Sequence, residues 1–378
     1  MGIEWWFLHC LTPLFVVYMQ RFLQLFVLFD GSTCKNATMI ATHFCLPTFE
    51  IKNAMGIFVE FCKFCTNKAK VAYNSPTEKM VFGYLDLLHE VELFCKNGVE
   101  TGVVGESTLK QRIPYIFVGK KNGNNMIVQG AMHAREHLTA LLVVGLAKHL
   151  VKNPQLKLDG GIYFVPMTNP DGVRLCQEGV GWIVDKQLKS NLVSINGGRD
   201  FSLWKANAEG VDINVNFDAK WGKGTQNTFY KCAQNYVGKH PFSTAEARCL
   251  AEFTQRLKPC VTLSYHLKGE EIYWEFGQKG HRRFIDERYA NAISRYTGYK
   301  LVGAGGSVGG YKDWCIEKLK IPAFTIEVGN DKYDHPFPYS LYSTILQQNV
   351  DLPRRLLNSV VQEKNLIKTL GWQDLLGD

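Results

Sequence analysis

From about residue 75 the chain alternates between two hydrophobic rhythms. Short runs of consecutive apolar and β-branched residues read as buried strands: Ile113 to Val118, Met126 to Gln129, Ile162 to Pro166, Val261 to Tyr265, Ile272 to Phe276 and Phe324 to Val328. Longer segments carry apolar residues at helical spacing: Met80 to Cys95, Leu138 to Val151, Ser243 to Leu257 and Asp351 to Lys368. Ser243 with Glu246 three residues later has the form of a capping box. Pro353 stands in the first turn of the last helix, where its missing N–H costs nothing. Asn169-Pro170-Asp171-Gly172 marks a turn after the third strand. Strand–helix alternation of this kind predicts an α/β fold with a largely parallel sheet.

Polar residues able to do chemistry fall where these strands end. His133 and Glu136 follow Met126 to Gln129 in Gly130-Ala131-Met132-His133-Ala134-Arg135-Glu136-His137. Three residues apart, at the entry to a helix, they can aim at one point. His266 closes the run Val261 to Tyr265. Two imidazoles, one carboxylate and an open position make a hydrolytic zinc site. Glu327, in Phe324-Thr325-Ile326-Glu327-Val328, supplies the carboxylate such a site needs as general base and then general acid. Each has an ordinary reading: an H-x-x-E at a helix start caps it, and a histidine at a strand end hydrogen-bonds in the core. Glu327 resists the ordinary reading most, because a carboxylate in an apolar strand is costly without a partner.

These residues sit in a longer ordered pattern. His133/Glu136, Asn169-Pro170-Asp171-Gly172, Gly210-Val211-Asp212-Ile213-Asn214-Val215-Asn216-Phe217, Ser264-Tyr265-His266, Gly309-Gly310-Tyr311-Lys312-Asp313-Trp314 and Phe324-Thr325-Ile326-Glu327 resemble, in register, the motifs of the M14 zinc metallocarboxypeptidases. The resemblance covers about residues 75 to 375. It implies a three-layer α/β/α sandwich with a mixed, mostly parallel sheet. It also implies one zinc ion held by His133, Glu136 and His266, and Glu327 as catalytic acid/base. Arg135 would line the substrate cleft, Asn214 would bind substrate, and Lys205 would stabilise the oxyanion where the family has Arg. Lysine keeps the charge but loses the planar two-pronged donor.

The departures bear on substrate. Where the family's exopeptidases carry Asn-Arg to clamp a terminal carboxylate, this chain reads Asn214-Val215, and valine cannot bind a carboxylate. Gly305 stands where the family has a tyrosine. The resemblance puts Lys312 at the position that, in the family, lies at the base of the pocket for the leaving residue, where a cation suits an extra carboxylate. With Asn214 to Trp221, His240-Pro241-Phe242-Ser243 and Ser264 to Phe276, the chain is similar to bacterial γ-D-glutamyl–diaminopimelate peptidases. The expected activity is hydrolysis of an amide near a peptide C-terminus, in a cell-wall stem peptide. The alternatives are a general carboxypeptidase of ordinary peptides and a non-catalytic zinc- and peptide-binding protein.

Composition narrows the partners. The formal charge of +8 over 378 residues comes without a long Lys/Arg block, so nucleic acid is not expected. The first 70 residues hold ten of the 23 Phe and five of the 11 Cys, and differ in kind from the rest. Residues 1–74 therefore read as an extension apart from a peptidase domain at 75–378. Trp5 to Phe29 is almost wholly apolar and long enough to span a bilayer, but Arg21 lies within it. It is read as a membrane anchor, as a helical extension, or, preferred, as translated sequence upstream of a start at Met80. Cys62 and Cys65 form one C-x-x-C with no second pair, and the other cysteines are scattered, as in a reducing compartment. The expected location is the cytoplasm, with membrane anchoring as the alternative.

Overall fold

The computed structural model describes residues 81–121, 123–303 and 305–370. They fall in one compact unit, Lys79–Asp378. The expected extension 1–74, its apolar stretch 5–29 and the Cys62/Cys65 pair lie outside the described residues. Among the described residues no helix is long and apolar enough to cross a membrane.

The centre is a mixed sheet of eight strands: β1 (Thr101–Glu106), β2 (Arg112–Gly119), β3 (Asn125–Gln129), β4 (Gly161–Val165), β5 (Val261–Leu267), β6 (Glu271–Tyr273), β7 (Lys300–Val302) and β8 (Ala323–Val328). Their spatial order is β1-β2-β4-β3-β5-β8-β6-β7. The middle, β4-β3-β5-β8, is parallel, as is β6-β7; β1-β2, β2-β4 and β6-β8 are antiparallel.

Successive side chains on a strand point to opposite faces, and the two faces here have different fates. Met126 and Val128, Ile162 and Phe164, Leu263 and Tyr265, and Phe324 and Ile326 belong to one buried cluster. Helices α1 (Tyr84–Lys96), α2 (Leu138–Lys152), α6 (Gly280–Thr297), α8 (Tyr342–Asn349) and α9 (Leu352–Leu370) cover it. Each fully buried Leu, Ile or Phe there contributes roughly 1.5–3 kcal/mol. The other face packs under α5 (Ala245–Leu257) and α7 (Tyr311–Glu317). Strand residues of that second set include His266, Glu327, Glu271 and Tyr273. Two further helices, α3 (Pro170–Glu178) and α4 (Lys186–Asn196), lie between β4 and the long segment that leads to α5. The result is the expected three-layer sandwich.

Three local expectations are corrected. The N-cap of α5 is Thr244, whose side chain accepts from Ala247 N; Ser243 does not cap it. Glu246 closes no capping box. It is fully buried, its Oε1 accepting from Thr108 N and its Oε2 from Thr108 Oγ1 and Asn207 Nδ2. The strand expected at Ile272 to Phe276 is β6, Glu271–Tyr273, because the chain turns away at Trp274 and Gln278 takes up the Phe276 N–H and the Trp274 carbonyl. Strands β1 and β7 lack a continuous apolar run, being exposed edge strands.

Candidate metal centre

The site starts at Gly130, just past β3. A Cβ there would lie 2.8 Å from the Thr139 carbonyl oxygen and 3.1 Å from Val143 Cγ2. Only glycine lets the chain pass this close to α2. It then turns through Ala131, at φ +46°, into a 3-10 turn, Ala134–Glu136. Thr139 fixes that turn, its hydroxyl accepting from Ala131 N and donating to the Glu136 carbonyl, both at 2.7 Å. His133 and Glu136, both buried, leave opposite ends of it.

His266 comes from the end of β5, on the α5/α7 face. Its Nδ1 lies 3.1 Å from His133 Nδ1 and 3.0 Å from Glu136 Oε2. His133 Nδ1 lies 2.7 Å from Glu136 Oε1. Among the described residues this is the one group of three or more His, Cys, Asp or Glu side chains able to hold a metal ion. Two ring nitrogens facing each other with a carboxylate between them share at most a few protons, whereas a cation would satisfy all three. Tetrahedral bonds near 2.0–2.1 Å separate ligand atoms by about 3.3 Å, close to the spacing here. The donor set, two nitrogens and one oxygen, fits zinc with a position left open. Burial opposes charge on Glu136 and His133, but opposite charges answer it. The two imidazoles hold Glu136 well below the usual carboxylate range. Glu136 and Asp212, against burial and Lys205, raise the His133 pKa.

Glu327 pairs in register with His266 across the parallel β5–β8 ladder. Burial pushes its carboxyl up to about 8, with His266 and Lys205 pulling down and Glu136 and Glu271 pushing up. Glu271 faces it across the antiparallel β6–β8 ladder. Two residues on, Tyr273 donates to Glu271 Oε2 at 2.9 Å. Its ring edge lies 3.8 Å from where a Gly305 side chain would begin, so a phenol from β6 stands beside the gap left by that glycine.

The other residues read from the sequence are placed as follows. Arg135, between the two ligands in the 3-10 turn, reaches Gln234 Oε1 at 3.3 Å and the Leu203 carbonyl at 3.4 Å. Lys205 Nζ lies 2.8 Å from Asp212 Oδ2 and 3.3 Å from Asn235 Oδ1. Asn214 Oδ1 accepts from Tyr311 N at 3.2 Å, which ties it to the start of α7. Lys312, on α7, is 12% exposed and lies 2.6 Å from Asp313 Oδ1, with its ammonium also on the Glu275 carbonyl. Val215 is buried.

Asp212 was missed as a functional candidate, although it stands in one of the quoted motifs. It is fully buried. Its Oδ1 lies 3.2 Å from His133 Nε2, off the line of a good hydrogen bond, and accepts from Asn214 N at 3.0 Å. Its Oδ2 takes Lys205 and, at 3.2 Å, Asn235 N. Burial would raise its pKa, but Lys205 and His133 hold it well below the usual range. A carboxylate on the far nitrogen of a ligand histidine fixes the tautomer that leaves Nδ1 free for metal. The signal in the sequence was an acid flanked by buried Val211 and Ile213. His335, on the loop after β8, was also missed. Burial holds its imidazole below the usual histidine range.

The sequence profile of the zinc carboxypeptidase family, Peptidase_M14, matches residues 84–351. The chain is 32% identical over 260 residues to gamma-D-glutamyl-L-diamino acid endopeptidase 1 of Lysinibacillus sphaericus, covering 65% of this chain and 64% of that one. It is 30% identical over 300 residues to an uncharacterized protein, YqgT, of Bacillus subtilis (strain 168), covering 73% and 74%. The fold is shared with bovine thrombin-activatable fibrinolysis inhibitor at a TM-score of 0.62 and 18% identity, covering 75% of this chain and 98% of that one.

Proposed function

Because the chain belongs to the zinc carboxypeptidase family, we propose that it is a zinc-dependent peptidase that cleaves γ-D-glutamyl–diamino acid bonds in cell-wall stem peptides. The observation that carries the reading is the buried His133–Glu136–His266 set with Glu327 in register beside it. The substrate class follows the relative from Lysinibacillus sphaericus, named for that bond, and the absence of an arginine at Val215.

A zinc ion held by the three residues would polarise the scissile carbonyl and lower the pKa of a water to about 7. Glu327 accepts the proton of the attacking water and hands it to the leaving nitrogen. Burial makes its carboxyl basic enough to take that proton, and its place beside His266 puts it within the reacting layer. Lys205 offers positive charge for the oxyanion while paired with Asp212. Asp212 holds His133 in the tautomer a ligand needs.

Asn214 and Lys312 are the groups proposed for the leaving residue. The Asn214 amide oxygen is spent on Tyr311 N, which orients its nitrogen as the donor for a ligand. Lys312 supplies a largely covered cation, already balanced by Asp313. A second carboxylate on the leaving residue, as in diaminopimelate, would meet this lysine.

The test is product analysis by mass spectrometry. Zinc-loaded protein is incubated with L-Ala-γ-D-Glu-meso-diaminopimelate and, separately, with a blocked α-linked dipeptide. Release of diaminopimelate with slow or no cleavage of the dipeptide is expected. Faster cleavage of the dipeptide would replace the reading with a general carboxypeptidase. Zinc binding with no cleavage of either would favour a binding protein.

A further inference from the structure

A cavity of about 380 Å³ opens between the β1–β2 turn, one side of α4 and the segment around Glu209. None of its lining residues belongs to the metal centre. Its volume falls at the small end of ligand pockets, which run from roughly 300 to 1,000 Å³. We propose that this cavity binds a free α-amino acid with an apolar side chain.

The charged groups argue for a zwitterion. Glu209 and Lys231 both line the cavity. The backbone brings them together: Cys232 N donates to the Gly210 carbonyl at 3.3 Å, and a Cβ on Gly210 would lie 3.4 Å from Lys231 Cβ. Opposite charges on such close stretches could pair. Yet among the described residues neither side chain has an ion pair or a hydrogen bond. A carboxylate and an ammonium, both open to one small cavity, match the ammonium and carboxylate that an amino acid carries on a single carbon. A peptide matches them less well, because its termini can separate by about 3.3–3.6 Å with every residue.

Another wall is apolar. Leu188, Leu192 and Ile195 fall at i, i+4 and i+7 on α4 and line the cavity together with Leu109. Leu192 is buried, but Leu188, Ile195 and Leu109 are only half-buried, at the margin of the cluster around Trp204. An aliphatic side chain laid over them would remove apolar surface from water.

The walls are fixed from behind. Thr108, at the β1–β2 turn, is held through its N–H and its hydroxyl by the two oxygens of buried Glu246. Leu109 N donates to Asp171 Oδ2 at 2.7 Å. Asn207 Oδ1 takes the Glu209 and Val211 N–H groups, at 2.9 and 3.1 Å. A pocket whose walls are already placed loses little entropy on binding.

The experiment titrates the zinc-loaded full chain, with labelled leucine and isoleucine methyl groups, with L-leucine and follows methyl NMR spectra. Binding in the cavity should move the Leu188, Leu192 and Ile195 resonances, assigned by single substitutions. N-acetyl-L-leucine lacks the ammonium and L-leucinamide lacks the carboxylate. Lys231 is exposed and Glu209 half-buried, so each lost contact should weaken binding roughly five- to tenfold. Glu209→Gln and Lys231→Met should weaken L-leucine by the same factor. Their ligand-free spectra report folding, and Glu209→Ala or Lys231→Gln replaces a variant that misfolds. No movement of those three residues at about 10 mM L-leucine, well above a millimolar Kd, overturns the site. So does equal binding of either blocked analogue, or unchanged affinity in either variant. These outcomes leave the reading of the metal centre untouched, because the two sites share no residue.

Discussion

Replacing Asp212 by Asn separates two roles that the structure gives to one carboxylate. Asp212 is fully buried, and its partner Lys205 has a side chain only 17% exposed. At their 2.8 Å separation the Coulomb attraction is about 6 kcal/mol at an effective dielectric of 20. Desolvation of both charges consumes much of that, so the pair itself stabilises little. Breaking it is different, because Lys205 is left charged and buried with only Asn235 Oδ1, at a cost of roughly 3–5 kcal/mol. The same substitution removes the carboxylate at 3.2 Å from His133 Nε2, which should weaken zinc binding about 10- to 100-fold. Asp212→Asn should therefore lose both stability and zinc. Adding Lys205→Met removes the stranded charge, and denaturation in excess chelator should show stability recovering to within about 1–2 kcal/mol of wild type. Zinc affinity, read by competition with a chromophoric chelator, should stay low in the double variant. Recovery of zinc affinity together with stability would refute the orienting role and reduce the single variant's metal loss to misfolding.

Three other outcomes are expected. Glu327→Gln keeps the shape of a side chain outside the ligand set, so zinc affinity should hold while kcat falls roughly 10²–10⁴-fold; near-normal turnover in a zinc-loaded preparation would remove Glu327 from the mechanism. Burial pushes Asp171 up to about 7, with Glu246 adding to the effect and the Leu109 N–H opposing it. The folded state then binds more protons than the unfolded state between about pH 4 and 7, so this group's contribution is full below pH 4 and is lost as pH rises through 7, amounting to about 4 kcal/mol. Asp171→Asn should flatten that slope in urea titrations at pH 5 and pH 8, and an unchanged slope would show that Asp171 ionises normally. Gly130→Ala places a Cβ at 2.8 Å from backbone and should cost roughly 1–3 kcal/mol while loosening zinc; a melting temperature and zinc affinity both equal to wild type would show that the turn relaxes freely.

What the sequence made legible follows strand periodicity. Leu263, Tyr265 and Leu267 lie in the large apolar cluster on one face and His266 on the other, so an imidazole at the end of such a run is directed away from that cluster. Glu327 between Ile326 and Val328 is placed by the same rule. Periodicity is silent where it is absent. Glu246 resembled a cap because it lies three residues after a serine, and its actual partners, Thr108 and Asn207, are far away in sequence. His335 sits on a loop with no rhythm, held down by Lys268, just past β5, through the carbonyls of Asp331 and Tyr333 and the Asp334 carboxylate.

The segment between α4 and α5 shows why motifs outlast rhythm as signals. It holds Lys205, Asp212, Asn214 and Asn235 without one α-helix or regular strand among its described residues. An irregular segment this long must satisfy its backbone through side chains. Asn207 Oδ1 accepts from Glu209 N and Val211 N. Asp212 accepts from Asn214 N and Asn235 N. Asn216 Nδ2 donates to the Val237 and His240 carbonyls, while its Oδ1 accepts from Thr244 N, the cap residue of α5. In Gly210 to Phe217 the apolar residues Val211, Ile213, Val215 and Phe217 are buried, and the polar ones between them are the clasps. The motif is thus a backbone-bonding device first. Asp212 serves both purposes, because the carboxylate that closes the loop also reaches the far nitrogen of His133.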